Sequence, residues 1–195
     1  SLWRLVQSLF DKTMVEERKK IMFLALATLP AVIAALLFKD FFDTVPGKPM
    51  VVSALLFVTG FLLFIPRLVK KKGGDVGCRS ALIMGIGQAF AILPGISRSG
   101  STIVAGMLSG AKAERAAEFS FLMSIPAIAG VFVLTMKDRI EQTGSFAEAL
   151  KSCFSGAYLA GAIAAALVGL LAIYLTMGAV KKGKLEYFAY YCFTV

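Results

Sequence analysis

The stretch Pro94-Gly95-Ile96-Ser97-Arg98-Ser99-Gly100-Ser101-Thr102 gathers the groups that a phosphate anion needs. Arg98 offers a planar fork of donors that matches two phosphate oxygens at once. Ser97, Ser99 and Thr102 add hydroxyl donors, while Gly95 and Gly100 let the main chain turn tightly and approach a ligand closely. A helix starting near Ser99 or Gly100 aims its free amides and the positive end of its dipole into the same place. Ser101 completes the candidate phosphate-binding set, although hydrogen bonding between helices explains it better.

The surroundings make this chemistry unusual, because the flanking residues from Ser80 to Gly110 are largely apolar. A charge at membrane depth costs at least about 2.5–3.5 kcal/mol, so a guanidinium without a task is seldom kept there. The bland alternative is an Arg98 that snorkels to an interface. Pro94 and Gly95 break the helix at its centre, and such breaks survive at depth only where protein or a water-filled cavity encloses them. The pattern predicts two half-helices, 80–93 and 100–109, joined by an irregular loop. Gln88, two turns before the motif, either lines the same cavity or bonds a neighbouring helix. Glu118 is read either as a first-turn acid that complements the helix dipole or, more sharply, as the partner of Arg98. The carboxylates of the connecting loops (Asp40, Asp43, Asp75, Asp138, Glu141, Glu148) read as solvated.

The elements that must position this motif are membrane spans. Of 195 residues, 58% are hydrophobic and 17% charged, whereas soluble domains carry about 25% charged residues. The apolar excess is arranged in blocks. Ile21–Phe38 runs for eighteen residues without a charge, enough to span the hydrocarbon as a helix, with Pro30 as a tolerated kink. Met50–Ile65, Ala116–Met136 and Gly156–Met177 are further spans, and Leu185–Val195 begins another. In the fourth block Gly156, Ala160, Gly161, Ala164, Ala165 and Gly169 suit close helix packing. The expected class is therefore an all-α, polytopic membrane helix bundle, one domain over 1–195, with a re-entrant helical hairpin at about 80–110.

Charge supports that topology. If 80–110 enters and returns, 15 Lys and Arg fall on one side and five on the other, with Arg98 buried; a full crossing gives 13 and 7. The positive-inside rule prefers the larger asymmetry, which makes 1–20, 67–79, 111–115 and 178–184 cytoplasmic. The net charge of +9 sits in short runs between apolar blocks. No segment interleaves basic and aromatic residues as a single-strand binder does, so nucleic acid is not an expected partner. Cys78, Cys153 and Cys192 form no CxxC pair and the chain has no histidine, which argues against a zinc site or a histidine dyad within it. The cysteines read as small apolar fillers.

Taken together, Gln88, the segment Pro94–Thr102, Ala116-Ala117-Glu118-Phe119-Ser120-Phe121-Leu122 and Pro126 resemble the undecaprenyl-diphosphate phosphatase (bacitracin-resistance) family. Leu29-Pro30-Ala31-Val32 fits the same pattern, and the likeness runs in order along essentially the whole chain. The resemblance implies a multi-pass enzyme of the bacterial plasma membrane that removes the terminal phosphate of undecaprenyl diphosphate and recycles the lipid carrier for peptidoglycan synthesis. It implies inverted repeats, each with a re-entrant hairpin, and an active site that opens outward. By the same match Arg98 clamps the diphosphate, Ser97 and Thr102 support it as catalytic phosphate ligands, and Ser99 is structural or a more distant donor.

One departure matters. The family's first motif, glutamates followed by a loop with serine and histidine, lies N-terminal to anything in these 195 residues. The nucleophile, the acid/base group and the carboxylates for a divalent cation (Mg2+ or Ca2+) are implied there, so the metal ligands are expected outside this chain. Both ends read as cut, the first at Ser1 and the last within the run closing at Val195. The expectation is a half-site that binds phosphate but hydrolyses poorly alone; phosphate release matching a complete homologue would contradict it. The competing class is a transporter of an anionic lipid or solute with a broken-helix site, and a homodimer is an open arrangement.

Overall fold

In hydrocarbon a backbone amide has no partner except its own chain, so each uncharged run closes its hydrogen bonds as a helix. The computed structural model describes residues 15–38, 44–45, 47–68, 73–146, 150 and 156–194. The basic run Lys70–Lys72, Asp40, Asp43, Glu148, Cys153 and both chain ends lie outside the described residues. The helices are α1 (Val15–Leu37), α2 (Pro49–Leu68), α3 (Cys78–Phe90), α4 (Arg98–Leu108), α5 (Ala113–Thr143), α6 (Gly156–Lys182) and α7 (Glu186–Thr194). Four of them, α1, α2, α5 and α6, are long and apolar enough to cross a membrane.

Exposure is inverted relative to a soluble protein. Only 6% of the α6 span is buried, and Leu167, Val168, Leu170 and Leu171 stand more than half exposed along it. A helix apolar all round and covered by so little protein requires hydrocarbon as its solvent. The chain is an all-α, multi-pass membrane protein.

The interior is built around α3 and α4. Helix α1 lies along α3 so closely that a Cβ on Gly85 would strike the carbonyl of Ala27; the two backbones touch because neither position carries bulk. Ala27, Ala81, Met84, Phe119 and Met123 fill the space between α1, α3 and α5. Ile103, Ala117, Val180 and Leu185 join α4 to α5 and to the α6–α7 corner. Helix α2 packs on α4 on one side and on α7 on the other, with Leu63, Ala189 and Cys192 as its core.

Helices α3 and α4 contain 13 and 11 residues, so they rise only about 20 and 17 Å against roughly 30 Å of hydrocarbon. Their outer ends meet. The Lys112 amide donates to the Gly74 carbonyl at 2.8 Å, closing a bridge between Gly74 and Ala111, and Asp75 pairs with Arg115 at 3.3 Å. Arg67 reaches Glu186 at 3.8 Å, so Arg67, Gly73 to Asp75, 111 to 115 and 181 to 186 gather at one end of the bundle. They surround a cavity of about 280 Å³.

Candidate functional site

The loop between the short helices begins where proline bars further helix. The last turns of α3 tighten through Ile92 N–H to Ala89 O and Leu93 N–H to Phe90 O, both 3.3 Å, and Ile96 N–H closes a turn on Leu93 O at 3.1 Å. Gly95 sits at φ +102°, a left-handed conformation that a side chain disfavours. A Cβ there would also lie 2.5 Å from Val52 O and 2.9 Å from Leu55 Cβ. Glycine is required on both counts.

Helix α4 starts at Arg98, one or two residues before the expected start near Ser99 or Gly100. Ser97 is the N-cap, and its hydroxyl accepts the Gly100 amide at 3.1 Å, satisfying one of the four free donors of the first turn. Arg98 is consequently the first helical residue, so the positive end of the helix and the guanidinium coincide.

Arg98 is half-buried and is pinned by one neutral acceptor. Its Nε and Nη2 donate to Gln88 Oε1 at 3.2 and 2.6 Å. Gln88 is 4% exposed and bonds a neighbouring helix, α4, at the motif's own arginine. A guanidinium has five N–H donors; Gln88 engages two and leaves three. No ion pair involves Arg98 among the described residues. A cation that is oriented but not neutralised keeps donors available to an anion.

The other motif residues divide by depth. Ser97 and Ser99 are partly exposed alongside Arg98, whereas Gly100, Ser101 and Thr102 are buried. Thr102 has no exposure. Its Oγ1 donates back to Arg98 O at 2.9 Å and Ser99 O at 3.2 Å and meets Ser120 Oγ of α5 at 2.5 Å. In this arrangement Thr102 braces the first turn of α4 against α5. Ser101, at 5% exposure, is likewise turned into the bundle.

Glu118 corrects the sequence reading. It is exposed, accepts from Arg115 Nη1 at 3.3 Å and does not approach Arg98. Nor is it a first-turn acid, because α5 begins at Ala113 and Glu114 holds that place. An acid one turn further along pairs within its own helix with Arg115, which also meets Asp75.

Two residues here escaped sequence analysis. Ser120 was visible only as one polar residue in the Ala116–Leu122 run. Thr59 is the only hydroxyl among the residues from Ala54 to Arg67 of α2, and it is 1% exposed. Its Oγ1 donates to Gly95 O at 2.8 Å and accepts the Ser97 amide at 3.1 Å. The available signal was one of two hydroxyls, Ser53 and Thr59, in an apolar span, which elsewhere means no more than local helix bonding.

The donor set at the loop is guanidinium, amide and hydroxyl, with no carboxylate paired to it among the described residues. It fits a phosphate and does not fit a Mg2+ or Ca2+ ion, which takes carboxylate and carbonyl oxygens. Among the described residues no cluster of three acids, cysteines or histidines stands elsewhere.

Fold and site together define a multi-pass membrane protein with a short helical hairpin that presents an unneutralised arginine at its tip. The chain belongs to the family described as bacitracin resistance protein BacA, which matches residues 1–195. It is 42% identical over 176 residues to the undecaprenyl-diphosphatase of Methanothermobacter thermautotrophicus, covering 87% of this chain and 93% of that protein. The undecaprenyl-diphosphatase of Rhodopirellula baltica is 39% identical over 182 residues, covering 92% and 69%. That of Syntrophotalea carbinolica is 42% identical over 178 residues, covering 90% and 65%. The chain thus spans about two thirds of the length of these last two relatives.

Proposed function

We propose that this chain carries the phosphate-holding site of an enzyme that hydrolyses undecaprenyl diphosphate to undecaprenyl phosphate and inorganic phosphate. One observation carries the reading: the Arg98 guanidinium is fixed by Gln88 through two hydrogen bonds of 2.6 and 3.2 Å and, among the described residues, pairs with no carboxylate. The relatives' name supplies the substrate, and the hairpin supplies a place for its head group.

In the reaction water adds across the P–O–P anhydride, its oxygen going to the terminal phosphorus and the bridging oxygen leaving with the lipid phosphate. Phosphoryl transfer depends mainly on positioning and on stabilising charge at the equatorial oxygens. Arg98 serves both with its three remaining donors, and Ser97 and Ser99 lie beside it at the exposed face of the loop. The free amides of the first turn of α4 add positive potential at the same point. Thr102 acts here from beneath, through the turn it braces. A divalent cation would add charge neutralisation; its ligands belong outside the residues of this loop.

The hairpin enters from the basic, cytoplasmic end of the bundle and returns to it. Its tip then lies about 20 Å into the membrane, beyond the midplane, where a head group arriving from the outer face reaches Arg98 while the prenyl tail stays in lipid. The test is Arg98→Ala in the complete gene product, assayed for phosphate release from a polyprenyl diphosphate in detergent. Hydrolysis is expected to vanish; turnover that persists refutes the phosphate role.

A further inference from the structure

The loop that holds Arg98 does not support itself. Between Leu93 and Ser97 it makes one main-chain turn bond, Ile96 N–H to Leu93 O, and the carbonyl of Gly95 and the amide of Ser97 find no main-chain partner there. Both are satisfied by a single side chain from another span. Thr59 Oγ1 sits between them, donating to Gly95 O at 2.8 Å and accepting from Ser97 N–H at 3.1 Å, a separation of 36 and 38 residues in the chain.

The rest of the α2 face repeats the fit. Val52 and Leu55 touch the place where a Gly95 side chain would stand, and Leu63 Cδ2 lies 3.1 Å from a Cβ built on Gly100. Positions 52, 55, 59 and 63 form one stripe of a helix. Helix α2 is therefore a template against which the loop from Gly95 to Gly100 is moulded, and Thr59 is its single polar point.

We infer that Thr59 is a positioning residue for the phosphate site: its hydroxyl sets the height and direction of Ser97, and through the Ser97 cap and the first turn of α4 it sets Arg98. The inference rests on the diphosphatase reading for its kinetic consequence, but not for its geometry. Thr59 reaches no substrate atom. Its effect is to hold Ser97, whose Oγ fixes the Gly100 amide at 3.1 Å, in the turn from which Arg98 starts the helix.

Thr59→Val preserves shape and removes both bonds, leaving the part-buried Gly95 carbonyl and Ser97 amide without their partner. Misplacement of a catalytic group by about 1 Å costs on the order of 100-fold, so kcat in the complete gene product is expected to fall roughly 10- to 100-fold. KM should change far less, because the guanidinium remains present. Thr59→Ser keeps the hydroxyl and should restore kcat to within about threefold of wild type, a rescue that loss of the methyl group alone does not predict. If Thr59→Val fails to accumulate, Thr59→Ala carries the same comparison.

A second readout is independent of activity. Hydrogen exchange at the Ser97 amide in detergent should be slow in wild type and in Thr59→Ser, and fast in Thr59→Val. A Thr59→Val enzyme with unchanged kcat and a protected Ser97 amide overturns the inference, as does a Thr59→Ser enzyme as impaired as the valine variant. If the wild type itself releases no phosphate, the diphosphatase reading fails, and the exchange experiment alone decides on Thr59.

Discussion

Replacing Gln88 by glutamate separates stability from activity at this site. The introduced carboxylate occupies the position of Oε1, which now accepts from Arg98 Nε and Nη2 at 3.2 and 2.6 Å. Beside a guanidinium it stays ionised. Two unit charges about 4 Å apart attract by about 4 kcal/mol at an effective dielectric of 20. Arg98 is only half-buried, so solvent screening reduces this to about 1.5–3 kcal/mol, in the range of a hydrogen bond to a charged group. That attraction no longer serves the incoming phosphate, which also meets a new negative charge. At 1.4 kcal/mol per factor of ten, kcat/KM is expected to fall roughly 10- to 100-fold. The folded protein keeps both hydrogen bonds and gains an ion pair, which offsets the cost of burying a carboxylate at this 4% exposed position, so its melting temperature in detergent should change little. Phosphate release from a polyprenyl diphosphate and a thermal melt of the same preparation check both halves. A Gln88→Glu variant within about twofold of wild-type kcat/KM would mean that the unneutralised charge of Arg98 is not what binds substrate.

Two further substitutions test the frame around that charge. Gly95→Ala forces a side chain into φ +102° and places a Cβ 2.5 Å from Val52 O; a loss of about 1–3 kcal/mol or more follows from the conformation alone, read as a lower melting temperature together with reduced phosphate release. Glu118→Gln removes an exposed pair with Arg115, both side chains being more than half exposed; such pairs contribute about 0–1 kcal/mol, so hydrolysis should stay within about twofold of wild type, and a large loss of activity would restore Glu118 to the site.

Much of the architecture was legible because it depends on properties summed over neighbouring residues. Eighteen uncharged residues fix a span wherever they occur, and Pro94-Gly95 breaks a helix whatever lies beside it. The meeting of Arg98, Ser97 and Gly100 at a helix start was equally local, since a cap and the guanidinium beside it are defined within one turn. Thr102 was legible as a hydroxyl but not as one turned inward, because which face of α4 meets α5 is set by the way the two helices cross.

What the sequence determined by itself is an all-α membrane chain with an arginine loop at the break in a hairpin, because hydropathy and turn chemistry act along the chain. Only the tertiary structure decided that Gln88 holds Arg98, that Glu118 does not, and that Thr59, 38 residues before Ser97, ties down the loop. Helix α2 is apolar on every side, so its periodicity marks no preferred face. Its rotation is chosen by backbone fit at Gly95 and Gly100, a property that exists only when the two segments meet.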